Sequence, residues 1–334
     1  MAYGHGTLVI SLDFELYWGV RNSRSLASYA ENLLAERTVV PRLIELFSAY
    51  RVHATWATVG FLCFSTKDEL LEALPDERPV YADAALSPYP YLEQIGADEK
   101  SDPFHYAPSL IKQIASAEYQ ELATHTFSHY YCLEAGQHAG TFEADLRAAR
   151  RALQRFGQTP TSIVFPRNQV NPGYLPVCRR LGINAYRATE PSWLYAARPA
   201  AAERRYRRAL RLVDAYVPLS HYAYSIEHVR DGPPAPIPAS RFLRPYNPRL
   251  RRLEQVRVAC MLRDIDHAAQ RGLVYHLWWH PHNLGANVEA NFGVLEQILD
   301  RFALRRKEHG MESLSMSELA ACATRSGPDD GRDA

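Results

Sequence analysis

Stretches with strand character and stretches with the 3.6-residue apolar spacing of helices follow one another along the whole chain, and this alternation most limits the fold. Repeated strand–helix units build a parallel sheet covered by helices, which excludes an all-β or all-α domain. A strand is expected near Thr7–Leu12, a helix over Arg37–Tyr50 and a β-branched, aromatic strand at His53–Val59. Phe142–Phe156 reads as an amphipathic helix with Phe142, Leu146, Ala149, Leu153 and Phe156 on one stripe and Gly157 as its stop. Ser162–Phe165 is a short strand, and Leu273–Trp279 a longer one. Phe292–Arg306 is helical up to Gly310, Met311–Leu314 is a strand, and Ser315-Met-Ser-Glu318 is a capping box opening a last helix.

Two regions interrupt the rhythm. Thr66–Pro108 is rich in Pro, Tyr and Asp with weak periodicity, as expected of a long functional insertion. Pro191–Pro248 combines an Arg-rich helix, Glu203–Val213, with the stretch DGPPAPIP, whose prolines exclude regular structure. Nothing resembles an interdomain linker. Residues 1–325 are therefore read as one domain with loop insertions at 66–108 and 191–248, and 326–334 as a disordered polar tail.

Hydrophobic residues make up 47% of the 334 and charged residues 22%, which is enough apolar surface for a sizeable core. The net charge of +1 offers no general field for nucleic acid, although all but four of the 38 basic residues are Arg. No run approaches the roughly 18 apolar residues of a spanning helix. The N-terminal MAYGHGTLVISLDFE reads as an immediate strand rather than a secretion signal. The five cysteines show no CxxC pair, so buried free thiols in a reducing cytoplasm are expected.

Four groups of residues can carry chemistry, and each falls just after an expected strand, where α/β folds assemble their sites. Asp13 and Glu15 end the first strand on one face. His125 and His129, at i and i+4, meet if the segment is helical and suit a divalent metal. With one carboxylate they form a 2-His-1-carboxylate face that leaves positions open for water and substrate. Val274, His276, Trp278 and His280 share one strand face; His276 fits a hydrogen-bonded core residue, and His280, at the strand end, a general acid. Arg167, in Phe165-Pro-Arg-Asn168, could fix a carboxylate. The cluster Arg204, Arg205, Arg207, Arg208 and Arg211 is either a solvated helix face or a contact for an anionic ligand or lipid head group.

In family order these segments resemble the polysaccharide deacetylases, the NodB-homology or carbohydrate esterase 4 group. Ser11-Leu-Asp13-Phe-Glu15 is similar to the family's TFDD motif, and Ala54-Thr-Trp-Ala-Thr-Val-Gly60 to ATFFVxG. Glu121-Leu-Ala-Thr-His125-Thr-Phe-Ser-His129 is close to EIGNHTxSH, Phe165-Pro-Arg167 to FRPP, and Trp279-His280 to LLH. The resemblance implies a distorted (β/α) barrel of seven or eight strands and one divalent metal ion, usually zinc. Carried over, Glu15, His125 and His129 would hold the metal, Asp13 would be the general base, Arg167 would orient it, and His280 would be the general acid. Trp193, Trp279 and His282 are candidates for the substrate pocket. Phe14 splits the family's adjacent Asp pair, which leaves open whether Asp13 or Glu15 meets the metal. Asn168-Gln169-Val170 replaces Pro-Tyr-Gly, and Glu190-Pro-Ser-Trp193 only faintly echoes the late DxxDW motif.

The activity implied is metal-assisted hydrolysis of an N-acyl amide on a sugar. Without an export signal, the expected substrate is a nucleotide-linked or lipid-linked glycan precursor of surface polysaccharide synthesis, met in the cytoplasm and possible at a membrane surface. The alternatives are a non-heme iron oxygenase, against which Phe127 stands where such enzymes carry their carboxylate, and a non-catalytic glycan-binding module.

Overall fold

The computed structural model describes residues 4–190, 193–196, 198–199, 205–216, 222–229, 232 and 234–325. Its frame is a parallel sheet of nine strands: β1 (Thr7–Phe14), β2 (Ala54–Thr58), β3 (Gln120–Thr124), β4 (Ser162–Ile163), β5 (Ala185–Ala188), β6 (Ala235–Pro238), β7 (Arg241–Phe242), β8 (Val274–Trp279) and β9 (Glu312–Ser313). The order is β6-β5-β4-β3-β2-β1-β8-β7, with β9 beside the start of β1. β6 and β7 belong to one extended segment that changes neighbour midway. Ala239 N donates to Ala188 O at the end of β5, and Ser240 N to His276 O on β8. That switch closes the parallel sheet expected from the alternating pattern into the distorted barrel that the family resemblance implies.

The closing segment corrects one expectation, because β6 lies within DGPPAPIP. Ala235 N and Ala239 N donate to Asn184 O and Ala188 O, so odd-numbered residues face β5. Pro236 and Pro238 occupy the alternate positions, where the ladder needs no N–H from them.

β1 is buried from end to end because it is covered on both faces. Leu8, Ile10, Leu12 and Phe14 point outward into a cluster with Val40, Leu43 and Phe47 of the helix Leu26–Tyr50 and Leu295, Ile298 and Leu299 of the helix Val288–His309. Val9 points inward and meets Met316 and Leu319 of the last helix, which with Ile226 and Val229 plugs the N-terminal end of the barrel. That helix opens as expected: Ser315 N donates to Glu318 Oε2, and Glu318 N to Ser315 Oγ. With one end closed, the C-terminal strand ends are left for a site.

The first insertion is not loose. It holds the helix Lys67–Glu72 and buries Leu70, Leu92, Ile95 and Tyr106 in the main cluster. The Arg-rich helix spans Arg205–Tyr216; its Arg207 is buried and donates to the carbonyls of Trp193, Leu194 and Ala196. Arg204, the side chains of Arg205 and Arg208, and the expected tail 326–334 lie outside the described residues. No helix among the described residues is long and apolar enough to cross a membrane.

Candidate metal centre and active site

β3 ends at Thr124, and the chain turns through a loop rather than the helix expected from the His-x-x-x-His spacing. Thr126 and His129 have φ of 65° and 58°, left-handed values that a helix does not allow. Asp145, buried on the helix Ala139–Gln154, holds the turn: it accepts from Phe127 N at 2.7 Å, from Ser128 N at 3.2 Å and from the Ser128 hydroxyl. The rings of His125 and His129 still meet, 5.1 Å apart.

Both imidazoles turn Nε2 toward Glu15, at 3.3 Å from His125 and 3.1 Å from His129. One ligand atom from each of the three residues lies within 4.8 Å of the others. His125 donates from Nδ1 to Val164 O at 2.8 Å, which leaves Nε2 as a lone-pair donor. That Nε2 is buried and has no hydrogen-bond partner. His129 Nδ1 lies 3.2 Å from the Tyr131 hydroxyl. Two imidazoles fixed through their far nitrogens and one carboxylate make a donor set that could hold a metal ion. Burial raises the Glu15 pKa, but His280, His125 and His129 outweigh it and hold the carboxyl well below its ordinary range. Burial dominates at His129 and pulls it down to about 4, so its ring is neutral and able to ligate. Gly19 makes room: a Cβ there would fall 1.8 Å from Glu15 Cδ.

Asp13 points into the same space and is met by an arginine the sequence reading did not select. Arg187, on β5 and 1% exposed, donates from Nη1 and Nη2 to the two Asp13 oxygens at 2.6 and 2.7 Å. Its remaining donors reach Ser11 Oγ and Asn168 Oδ1, and its guanidinium lies 4.1 Å from the Trp278 ring centre. Burial raises the Asp13 pKa; Arg187, with His125 and His280, more than offsets this and keeps it ionised. The expectation that Arg167 orients Asp13 is therefore corrected. Arg167 and Asn168 both have left-handed φ, 55° and 54°. This turn sends Arg167 over the Tyr131 ring, 3.9 Å from Glu134, and gives Asn168 to Arg187. The signal for Arg187 is its position: an arginine inside a short apolar strand is costly unless a buried anion meets it.

His280 Nε2 stands 3.4 Å from Glu15 Oε1 and 3.6 Å from Asp13 Oδ2, and Nδ1 donates to Asn283 Oδ1 at 3.2 Å. Burial pulls its pKa down and the Glu15 and Asp13 charges oppose this, leaving it below the ordinary value. His276 fulfils its core reading, fully buried between Ser11 Oγ and Pro238 O and pulled down to about 3 by burial.

Three expected pocket residues lie elsewhere. Trp279 is 0% exposed and packs outward on Phe47, because strand alternation gives the inner face to Trp278. His282 is buried behind His280, stacked at 5.0 Å, with Nδ1 3.4 Å from Glu36 Oε1. Trp193 is 60% exposed and does not line the cavity described below.

Glu36 is completely buried, and neither of its oxygens has a hydrogen-bond partner. Burial, then the Glu15 charge, push its pKa well above the ordinary 4.5. The folded state thus holds a proton that the unfolded chain releases. This contribution to stability is complete below about pH 4.5 and is lost as pH rises through the raised folded value. Glu36→Gln should therefore match the wild type near pH 4 and exceed it at pH 8 in urea unfolding. A difference of the same size at both pH values would contradict a protonated Glu36.

A cavity of about 900 Å³ opens beside these groups, with His280, Trp278, Phe242 and Gly19 at its walls. Residues 28–186 match the polysaccharide deacetylase family model. A search of curated proteins finds no match. Among solved structures, one described as a polysaccharide deacetylase from Mycobacterium smegmatis has a TM-score of 0.59 at 14% identity, covering 96% of this chain and 91% of that one. Another, described as a polysaccharide deacetylase from Pseudomonas aeruginosa PAO1, has a TM-score of 0.55 at 13% identity and covers 96% and 92%. At these identities the likeness is one of fold. The matched segment contains His125, His129 and Arg167, whereas Asp13, Glu15, Arg187 and His280 lie outside it.

Proposed function

We propose that this chain, which carries the polysaccharide deacetylase family segment and fold, removes an N-acyl group, acetyl by preference, from a sugar by metal-dependent hydrolysis. The observation that carries this reading is the convergence of Glu15, His125 and His129, with the orphaned Nε2 of His125 among them, beside the Asp13–Arg187 pair and His280. A divalent ion such as Zn²⁺ held there by Glu15, His125 and His129 would supply Lewis acidity and lower the pKa of a water to about 7. Asp13, kept ionised and pointed by Arg187, is the base that takes the proton of the attacking water. His280 gives a proton to the departing amine from Nε2, the nitrogen that faces the two carboxylates. Its lowered pKa makes it the stronger acid at that moment, with a smaller protonated fraction at neutral pH.

The five cysteines are all free, four of them buried, which supports a reducing compartment, the cytoplasm. There the sugar would belong to a nucleotide-linked or lipid-linked precursor of a surface polysaccharide, with peripheral contact to anionic lipid head groups in the second case.

His280→Ala is expected to lower the rate by about 10²–10⁴, the range for general acid catalysis, with metal content unchanged. Acetate release from a panel of N-acetylated sugars, measured beside metal content and oxygen uptake, tests the reading. Acetate without oxygen consumption supports hydrolysis. Oxygen uptake, or a metal-loaded protein inert on every sugar, would favour the oxygenase or the binding module.

A further inference from the structure

We propose that the cleft running from His280 toward Arg244 is a subsite for a phosphate or diphosphate ester, so that the sugar cleaved at the metal centre is phosphorylated. The proposal rests on reading that centre as the reacting one. Five arginines line the cavity (Arg167, Arg198, Arg211, Arg241 and Arg244) against two carboxylates, Glu190 and Asp214. Several of these groups are already engaged. Asp214 accepts from the Tyr195 hydroxyl at 2.5 Å, Arg241 lies 3.5 Å from Asp264, and Arg167 is stacked on Tyr131.

Arg244 is different. Among the described residues it has no carboxylate or hydrogen-bond partner; its contact is with the Phe242 ring, 5.9 Å away. It is half-buried, and burial together with the nearby Arg211 and Arg257 lowers its pKa. A guanidinium withdrawn from water beside other guanidiniums, with its five donors unused, is stabilised by an anion from outside the chain. The cavity walls join that cation to His280 and Trp278, so one ligand can reach both ends. A single carboxylate would balance one arginine. A diphosphate diester carries two charges and presents oxygens along its length, which suits a cavity lined by several arginine forks. Nucleotide-linked and lipid-linked sugars share this chemistry.

Calorimetric titration of inorganic pyrophosphate into the metal-loaded protein tests the subsite directly. The wild type should bind, and Arg244→Gln should weaken binding by about 10–100-fold, the worth of hydrogen bonds to a charged group. Arg244→Lys should lose less, because it keeps the charge. Chelator-treated wild type and His129→Ala should bind within about threefold of the loaded protein, which separates this subsite from the metal centre. UDP and vesicles of phosphatidic acid in phosphatidylcholine distinguish the sources: binding that depends on Arg244 supports the proposal in either case, as a nucleotide-linked or a lipid-linked sugar. Absence of pyrophosphate binding in the wild type overturns it. So does binding that survives Arg244→Gln unchanged and vanishes with the metal. Failure of the hydrolase reading alone would show differently, as intact pyrophosphate binding with no acetate released from any sugar.

Discussion

His129→Ala is expected to strip the centre of its metal and to take acetate release down to background. The Nε2 of His129 is one of the three atoms turned on a common point, and no other histidine nitrogen among the described residues is grouped with Glu15 and His125 to replace it. Disturbing a ligand's hydrogen-bond partner already costs about 10–100-fold in metal affinity, so losing the ligand itself should exceed that range. The same result is expected for Glu15→Gln and His125→Ala. For His125 the loss is the clearer, because its buried Nε2 has no other use. Metal analysis after dialysis, with acetate release on the same samples, measures both effects. Full metal content in any of the three variants would remove that residue from the ligand set.

The second large effect belongs to Arg187. Arg187→Leu is expected to destabilise the fold by about 3–5 kcal/mol, the consequence of leaving one partner of a buried pair as an uncompensated charge. Asp13 and Arg187 are both nearly inaccessible, and the arginine uses all its donors on Asp13, Ser11 and Asn168. Adding Asp13→Asn to Arg187→Leu should restore a large part of that loss, since the stranded charge is gone. Activity should not return, because the base is gone too. Urea unfolding of the two single variants and the double variant gives the coupling energy. Independent, additive losses would mean that the pair contributes nothing as a pair.

How much of this was legible in the sequence depended on how local each signal was. The capping box at Ser315–Glu318 and the strand core Thr7–Leu12 rest on neighbouring residues, and they appear as read. Asp13 and Glu15 were recognisable because two carboxylates ending a buried strand need a reason. The two histidines were found by spacing, yet the spacing named the wrong backbone. Asp145, sixteen residues beyond His129, replaces helical hydrogen bonds with its own carboxylate, and nothing local announces that. The arginine was assigned to the wrong strand for a related reason. Arg167 sits where the family motif suggests, but its left-handed turn aims it away, and the barrel brings in Arg187 from the next strand. Pro236 and Pro238 misled because a proline disrupts a ladder only where its N–H is needed, and which neighbour a strand faces is a tertiary fact. Trp279 stands beside His280 in the segment that resembles the family motif, but two-residue alternation with His280 gives the inner face to Trp278.

The central claim is that Glu15, His125 and His129 hold one divalent ion at the mouth of the barrel. Anomalous diffraction collected at the zinc absorption edge on crystals of the zinc-loaded protein tests it most directly. The account predicts a single strong peak about 2.0–2.2 Å from a Glu15 oxygen and from Nε2 of both histidines. A peak at other side chains, or none at these three in fully loaded protein, would contradict it.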